Sequence, residues 1–383
     1  MTPRSVITLV FFAFGAALGT WAGAVPQITR NAGVDDMALG LGLTAYTITY
    51  VLAMALGPRL ARWTTNRAIL LTMLPLLGVA VVALSFSAAP AFFFVSLVVF
   101  GAILGLTDLF MNAEASAIET DLGKPVFASF HGSASAGVAS SAILASLIAT
   151  WAHPWLAGVL SAVLLLIAAV CVHRWLPARR PALVTHALVD SSAIDVFPFT
   201  LLGMAAGLVI AGETTAIMWS AKLLDQQAAS LAAIAGIGVA FFGLCHSAIR
   251  FMGDRSRARF GDMPLMLGSL VIATTGFAAI GLSQNFATSV AAFAIVGFGT
   301  ACVIPCIFAL AGRLTATNRA KGIGFISLVA GIPRTLAPWL FGWLAETQST
   351  SFAFAMCALG MVAALICIIL IRKLLAPAPA SAG

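Results

Sequence analysis

Runs of about twenty apolar residues recur along the whole chain, and each is long enough to cross a bilayer core as one helix. They lie near residues 6–28, 39–58, 69–86, 91–113, 129–149, 155–173, 198–221, 229–250, 263–282, 287–311, 322–344 and 352–371. Lipid offers backbone groups no hydrogen-bond partner, so each run must satisfy its own N–H and C=O groups as a helix. The expected fold is therefore an all-α membrane protein with twelve transmembrane helices. Composition agrees, with 61% hydrophobic and 9% charged residues. Little chain remains for a soluble domain. No P-loop, H-E-x-x-H or paired metal-ligand motif is present, which argues against an enzyme, an ATP-driven pump or a bound cofactor.

Lysine and arginine set the orientation. With the N-terminus in the cytoplasm, only Arg30 and Lys222 fall in outside loops, and every other basic residue except Arg334 falls inside. That asymmetry fits an even number of crossings and two cytoplasmic termini. It also accounts for the formal charge of +7 through basic loops facing anionic lipid, with no nucleic-acid partner. The opening "MTPRSVITLVFFAFGAALGTWAGA" has the outline of a secretory signal, but the eleven similar segments behind it favour a first membrane helix. The six cysteines fall in or beside apolar runs and read as small packing residues.

The longest connection, 176–197, divides the chain into a first half, 1–175, and a second half, 198–373, followed by a Pro/Ala-rich tail at 374–383 that is expected to be disordered. Each half places a basic stretch after its second span, "GPRLARWTTNR" at 57–67 and "GDRSRARFGD" at 253–262, and both contain Ala-Arg-aromatic. The fourth and tenth spans both carry glycine clusters. The halves therefore read as repeats.

Twelve spans in two such halves, with Gly57 and Arg62 spaced as in a G-x-x-x-D-R-x-G-R-R loop, resemble the major facilitator superfamily over essentially the whole chain. Ala61 stands where that motif has aspartate and Thr64 where it has its second glycine. The resemblance makes Gly57, Arg62, Arg67 and Arg259 the candidate conformational loop residues, with Glu114 or Asp254 as substitutes for the missing carboxylate. "GLTDLFMNAEASAIE" at 105–119 further resembles fucose-permease-like bacterial transporters, where a carboxylate and an asparagine lie one turn apart, as Asp108 and Asn112 do. Their carboxylate in the first span has no counterpart here. The resemblance implies a bacterial inner-membrane transporter, acting as a monomer.

Ionisable residues inside spans are informative because an Arg or Asp at a helix centre costs roughly 2.5–3.5 kcal/mol on insertion scales. Spans 3, 6, 9 and 12 have none in their interiors, whereas spans 4, 7 and 11 carry Asp108, Glu213 and Arg334. Gly101, Gly105, Asp108 and Asn112 share one helical face, which makes Asp108 a candidate proton-binding carboxylate beside Asn112 as a substrate-binding amide, or else makes the pair a polar clasp between helices. Glu213 in an apolar helix suits reversible proton uptake, or else a permanent ion pair with the other half. Arg334, between Pro333 and Pro338, keeps its charge and must find an anion: Asp108, Glu213 or the substrate.

His131 and His246 are further candidates for proton coupling. Trp21 and Gln27 on span 1 and Trp219 on span 7 are candidates for substrate binding, with the interfacial aromatic belt as an alternative for Trp219. The expected function is a secondary transporter working by alternating access. It takes a small polar substrate, a sugar or an organic anion such as a sugar acid, together with protons. The alternative is a drug/proton exporter, which the absence of proline from the fifth span weakens.

Overall fold

The computed structural model describes residues 1–124, 126–178, 196–314 and 319–375, and among them every regular element is helical. The first half contains α1 (Pro3–Ala32), α2 (Asp36–Ala61), α3 (Asn66–Ser85), α4 (Pro90–Leu122), α5 (Phe127–Trp151) and α6 (Pro154–Trp175). The second contains α7 (Val196–Gln227), α8 (Ile237–Phe260), α9 (Asp262–Leu282), α10 (Phe286–Thr300), α11 (Val303–Leu314), α12 (Arg319–Thr347) and α13 (Thr350–Leu374). Twelve crossings result, because α10 and α11 together make the tenth. Most of the 176–197 connection and the tail after Leu375 lie outside the described residues, as do the side chains of Asp254, Arg319 and Lys321.

The repeat is visible in which helices pack together. In the first half the crossings pair 1 with 5, 2 with 4 and 3 with 6; in the second, 7 pairs with 11, 8 with 10 and 9 with 12. The halves meet along two related seams, α5 against α8 and α2 against α12, and α1 touches α7 between them. Outward-facing apolar side chains such as Val79, Val170 and Leu328 stay uncovered by protein, as a hydrocarbon solvent allows.

Two expectations need correction. The basic stretch after the eighth crossing is not a loop: α8 continues through it to Phe260, and the chain turns at Gly261, whose φ of 78° suits a residue without a Cβ. The tenth crossing is not one helix, since it breaks between Thr300 and Val303. Pro305 explains the break: it has no N–H to donate to Ala301, and its ring crowds that carbonyl.

The tightest packing is between α1 and α5. Gly15, Gly19 and Gly23 form a stripe against the backbone of Ala134, Val138 and Ala142, and a Cβ at any of them would collide with a main-chain carbonyl. Gly137 answers from α5 against Phe12. Gly19→Leu is therefore expected to prevent assembly, seen as loss of the monodisperse peak in detergent size-exclusion chromatography. Recovery of normal yield would show that the helices can separate without cost. The α5–α8 seam is close in the same way, with Gly236 against the Ala142 carbonyl and Ser247 Oγ donating to Gly132 O at 3.0 Å.

Candidate functional site

Near the middle of α4, Asp108 is held by two donors. Tyr50 on α2 donates its hydroxyl to Asp108 Oδ2, and Asn112 donates Nδ2 to Oδ1 at 2.8 Å and to the Asp108 carbonyl at 2.8 Å. The helices can bring these groups together because Gly101 and Gly105 lie against the backbone of Tyr46 and Tyr50, leaving no room for larger residues. From the other half, Arg334 on α12 sits over the Tyr50 ring, 4.5 Å from its centroid. Charge (Arg334), aromatic ring (Tyr50) and carboxylate (Asp108) thus form a chain across the interface between the halves. Among the described residues Arg334 makes no direct ion pair with a carboxylate. Tyr46, one turn before Tyr50, stacks on Phe100 with centroids 6.0 Å apart.

A second cluster lies between α5, α7 and α8. His246 Nε2 and Glu213 Oε1 are 3.0 Å apart, so this partner of Glu213 lies in its own half and not across the interface, where one of the two readings of Glu213 put it. Arg250, one turn further along α8, is close enough to act electrostatically on Glu213, His246 and His131. Its Nε is buried without a hydrogen-bond partner. Two cavities share Arg250 and His131 in their walls. One of about 160 Å³ reaches Glu213 and His246, and one of about 410 Å³ extends toward the face that carries the termini, between α4–α5 and α8–α11.

The other candidates divide. Trp21 and Trp219 are buried: the Trp21 indole donates to Met218 Sδ at 3.1 Å, and the Trp219 ring packs on Phe341 at 4.7 Å between centroids. Trp219 is therefore in the protein interior and not in an interfacial belt. Gln27 bonds Asn31 and Arg30 near the distal end of α1, away from both clusters. Of the loop residues, Gly57 is pressed against Leu109, Arg67 donates to the His173 carbonyl, and Arg62 and Arg259 are exposed, the latter over Phe260. Glu114, one of the two carboxylates offered in place of the motif's aspartate, is fully buried and accepts from Asn66 at 3.0 Å. On the second half Asp262 bridges Arg257 at 2.8 Å and Arg313 at 2.5 Å.

Sequence reasoning missed Tyr50, Arg250 and a set of contacts at the face opposite the termini. There Arg30 of α1 pairs with Asp225 of α7, and Lys222 of α7 pairs with Asp36 of α2. Glu346 at the end of α12 also accepts the Asp36 N–H at 3.0 Å. Signals for these residues existed. Tyr46 and Tyr50 are the chain's two tyrosines, one turn apart, and Arg30 and Lys222 are the two basic residues that break the charge asymmetry. Arg250 carried no such mark, because it reads as an ordinary boundary charge.

The model of the Major Facilitator Superfamily matches residues 200–382. An uncharacterized MFS-type transporter of Yersinia pestis is 28% identical over 357 residues, covering 92% of this chain and 91% of its own. The uncharacterized transporter y4wD of Sinorhizobium fredii is 29% identical over 395 residues, covering 96% and 97%. Among solved structures, the nucleoside transporter NupG superposes with a TM-score of 0.75 at 15% identity, covering 97% of this chain and 100% of its own. The peptide transporter POT superposes with a TM-score of 0.76 at 14% identity, covering 97% and 95%. The last two likenesses concern the fold. The family match begins at the seventh crossing and the sequence relatives carry the likeness back through the first six, and together these findings support a membrane transporter of the major facilitator superfamily.

Proposed function

We propose that the protein is a proton-coupled secondary transporter. In this reading it moves a small polar metabolite, a sugar or an organic anion, across a bacterial inner membrane by alternating access, with both termini in the cytoplasm. The observation that carries the reading is the chain from Asp108 through Tyr50 to Arg334. Coupling requires that proton binding favour one arrangement of the halves over the other. A proton on Asp108 removes the charge that accepts from Tyr50 and that faces Arg334 from across the interface, so loading the carboxylate changes what holds α2 and α4 to α12. Fold alone does not choose a cargo, and NupG and POT carry the names of nucleoside and peptide transporters.

The test starts from cargo. Purified protein is screened by thermal shift against sugars, sugar acids and small carboxylates, since a ligand well above its Kd stabilises the state that binds it. Hits are then followed as labelled substrates into proteoliposomes. An imposed pH gradient is expected to drive accumulation, and a protonophore to abolish it. Equal flux with and without the gradient would refute proton coupling.

A further inference from the structure

The cluster around Arg250 is not needed for the Asp108 chain, and its charge arithmetic points to a cargo. Resting on the transporter reading above, we propose that Arg250 is the binding group for a small organic monoanion, a carboxylate with a largely apolar body, and that a proton on the Glu213–His246 pair frees Arg250 to take it.

The fixed cation is Arg250. Glu213 stands beside it on α7, and His246, one turn back on α8, shares the carboxylate at 3.0 Å. When the pair carries no extra proton, Glu213 is an anion and balances Arg250, so the site is neutral and a second anion has nothing to neutralise. When one proton is added at the Nε2–Oε1 contact, the pair becomes neutral as a whole. Arg250 is then an unbalanced cation whose Nε has no hydrogen-bond partner, at the wall of two adjoining cavities. A half-buried guanidinium without a counter-charge is poorly tolerated, and a carboxylate matches its planar fork. One proton on the pair then favours binding of one anion at Arg250.

The other groups facing the site fit this account. His131 on α5 lines both cavities, with its ring edge-on to Phe11 at 5.2 Å and near Phe127 at 5.0 Å. Arg257 on α8 is already bonded to Asp262. Glu119 on α4 accepts the N–H groups of Val126 and Phe127 at 2.7 and 2.6 Å, so it caps α5 and does not compete for Arg250. Cys302 lies at the break before α11, in the wall of the larger cavity. The rest of that wall is apolar, notably Phe127, Ile304 and Phe308, which suits a carboxylate with a hydrophobic body better than a polyol.

Binding is measured first, on the full-length protein in detergent, with benzoate, butyrate and acetate as probes and benzamide as the uncharged isostere of benzoate. A carboxylate is expected to raise Tm, more at pH 5.5 than at pH 8, while benzamide does not. Arg250→Gln is expected to abolish the shift and Arg250→Lys to retain part of it. Glu213→Gln is expected to tighten carboxylate binding at pH 8 by about tenfold and to remove its pH dependence, the sign opposite to that of a damaged fold. Equal stabilisation by benzamide, no stabilisation by any carboxylate, or weaker binding in Glu213→Gln would each overturn the proposal. Proteoliposome flux of the carboxylate that binds separates it from the broader reading. Arg250-dependent binding with flux indifferent to a pH gradient would sink proton coupling and leave the anion site standing. Gradient-driven uptake of an uncharged substrate without carboxylate binding would do the reverse.

Discussion

Asp108→Asn is expected to bring an uncharged substrate, one that does not use the Arg250 site, to equal concentrations on the two sides of the membrane and no further, an accumulation ratio of about one, because for such a cargo Asp108 supplies the coupled proton and a carrier without a coupled ion can only equilibrate its cargo. The variant should still fold. An asparagine carbonyl can accept from Tyr50, and the Asn112 Oδ1, buried without a partner in the native arrangement, can turn to accept from the new amide. The cost is the bond from Asn112 to the Asp108 carbonyl, on the order of 1 kcal/mol. Exchange of labelled for unlabelled substrate should therefore persist while uphill transport disappears. The two assays are run on the same proteoliposomes. Wild-type accumulation by the variant would remove Asp108 from the coupling mechanism, and loss of exchange as well would make it a structural residue.

The second large effect is expected from Lys222→Glu. Lys222 and Asp36 are nearly enclosed, with side-chain exposures of 13% and 11%, so the pair is screened little by solvent. Reversing the lysine sets a third carboxylate beside Asp36 and Glu346, at the point where α2, α7 and α12 converge. The arrangement with the distal ends together should lose on the order of 1–3 kcal/mol, a roughly 5- to 150-fold change in the balance between the two access states. Spin labels on the distal ends of α1 and α7 would report a longer distance. The exchanged pair, Asp36→Lys with Lys222→Asp, should restore the short one. An unchanged distance distribution in the single variant would mean that backbone packing, such as Gly40 against Pro338 and Gly342, closes this face without help from charge.

The spans were legible because lipid imposes one rule, a helix about twenty residues long, and each run obeys it independently of the rest. The contact between Asp108 and Asn112 was legible for the same local reason, since residues four apart share a helical face. What could not be read were relations between helices. Glu213 meets His246 and not a cation of the first half, which depends on α7 and α8 being neighbours at that depth. Lys222 meets Asp36 across 186 positions of chain, and nothing in either segment names the other. The broken tenth crossing is a different kind of miss, since Pro305 stands in the sequence itself, inside an otherwise apolar run.

The interlocked glycines of α1 and α5 have a mechanical consequence. α1 is 30 residues long, about 45 Å, and it is locked along its length to α5. His131 stands at one end of this stiff beam, in the cavity wall opposite Arg250, and Arg30 stands near the other, bound to Asp225. On the reading that cargo binds beside Arg250, a beam of that kind acts as a lever: a tilt of a few degrees at that end is multiplied by its length into ångströms at the other. On that reading the protein needs no chain of individual contacts to link a filled cavity to the paired charges at the distal face.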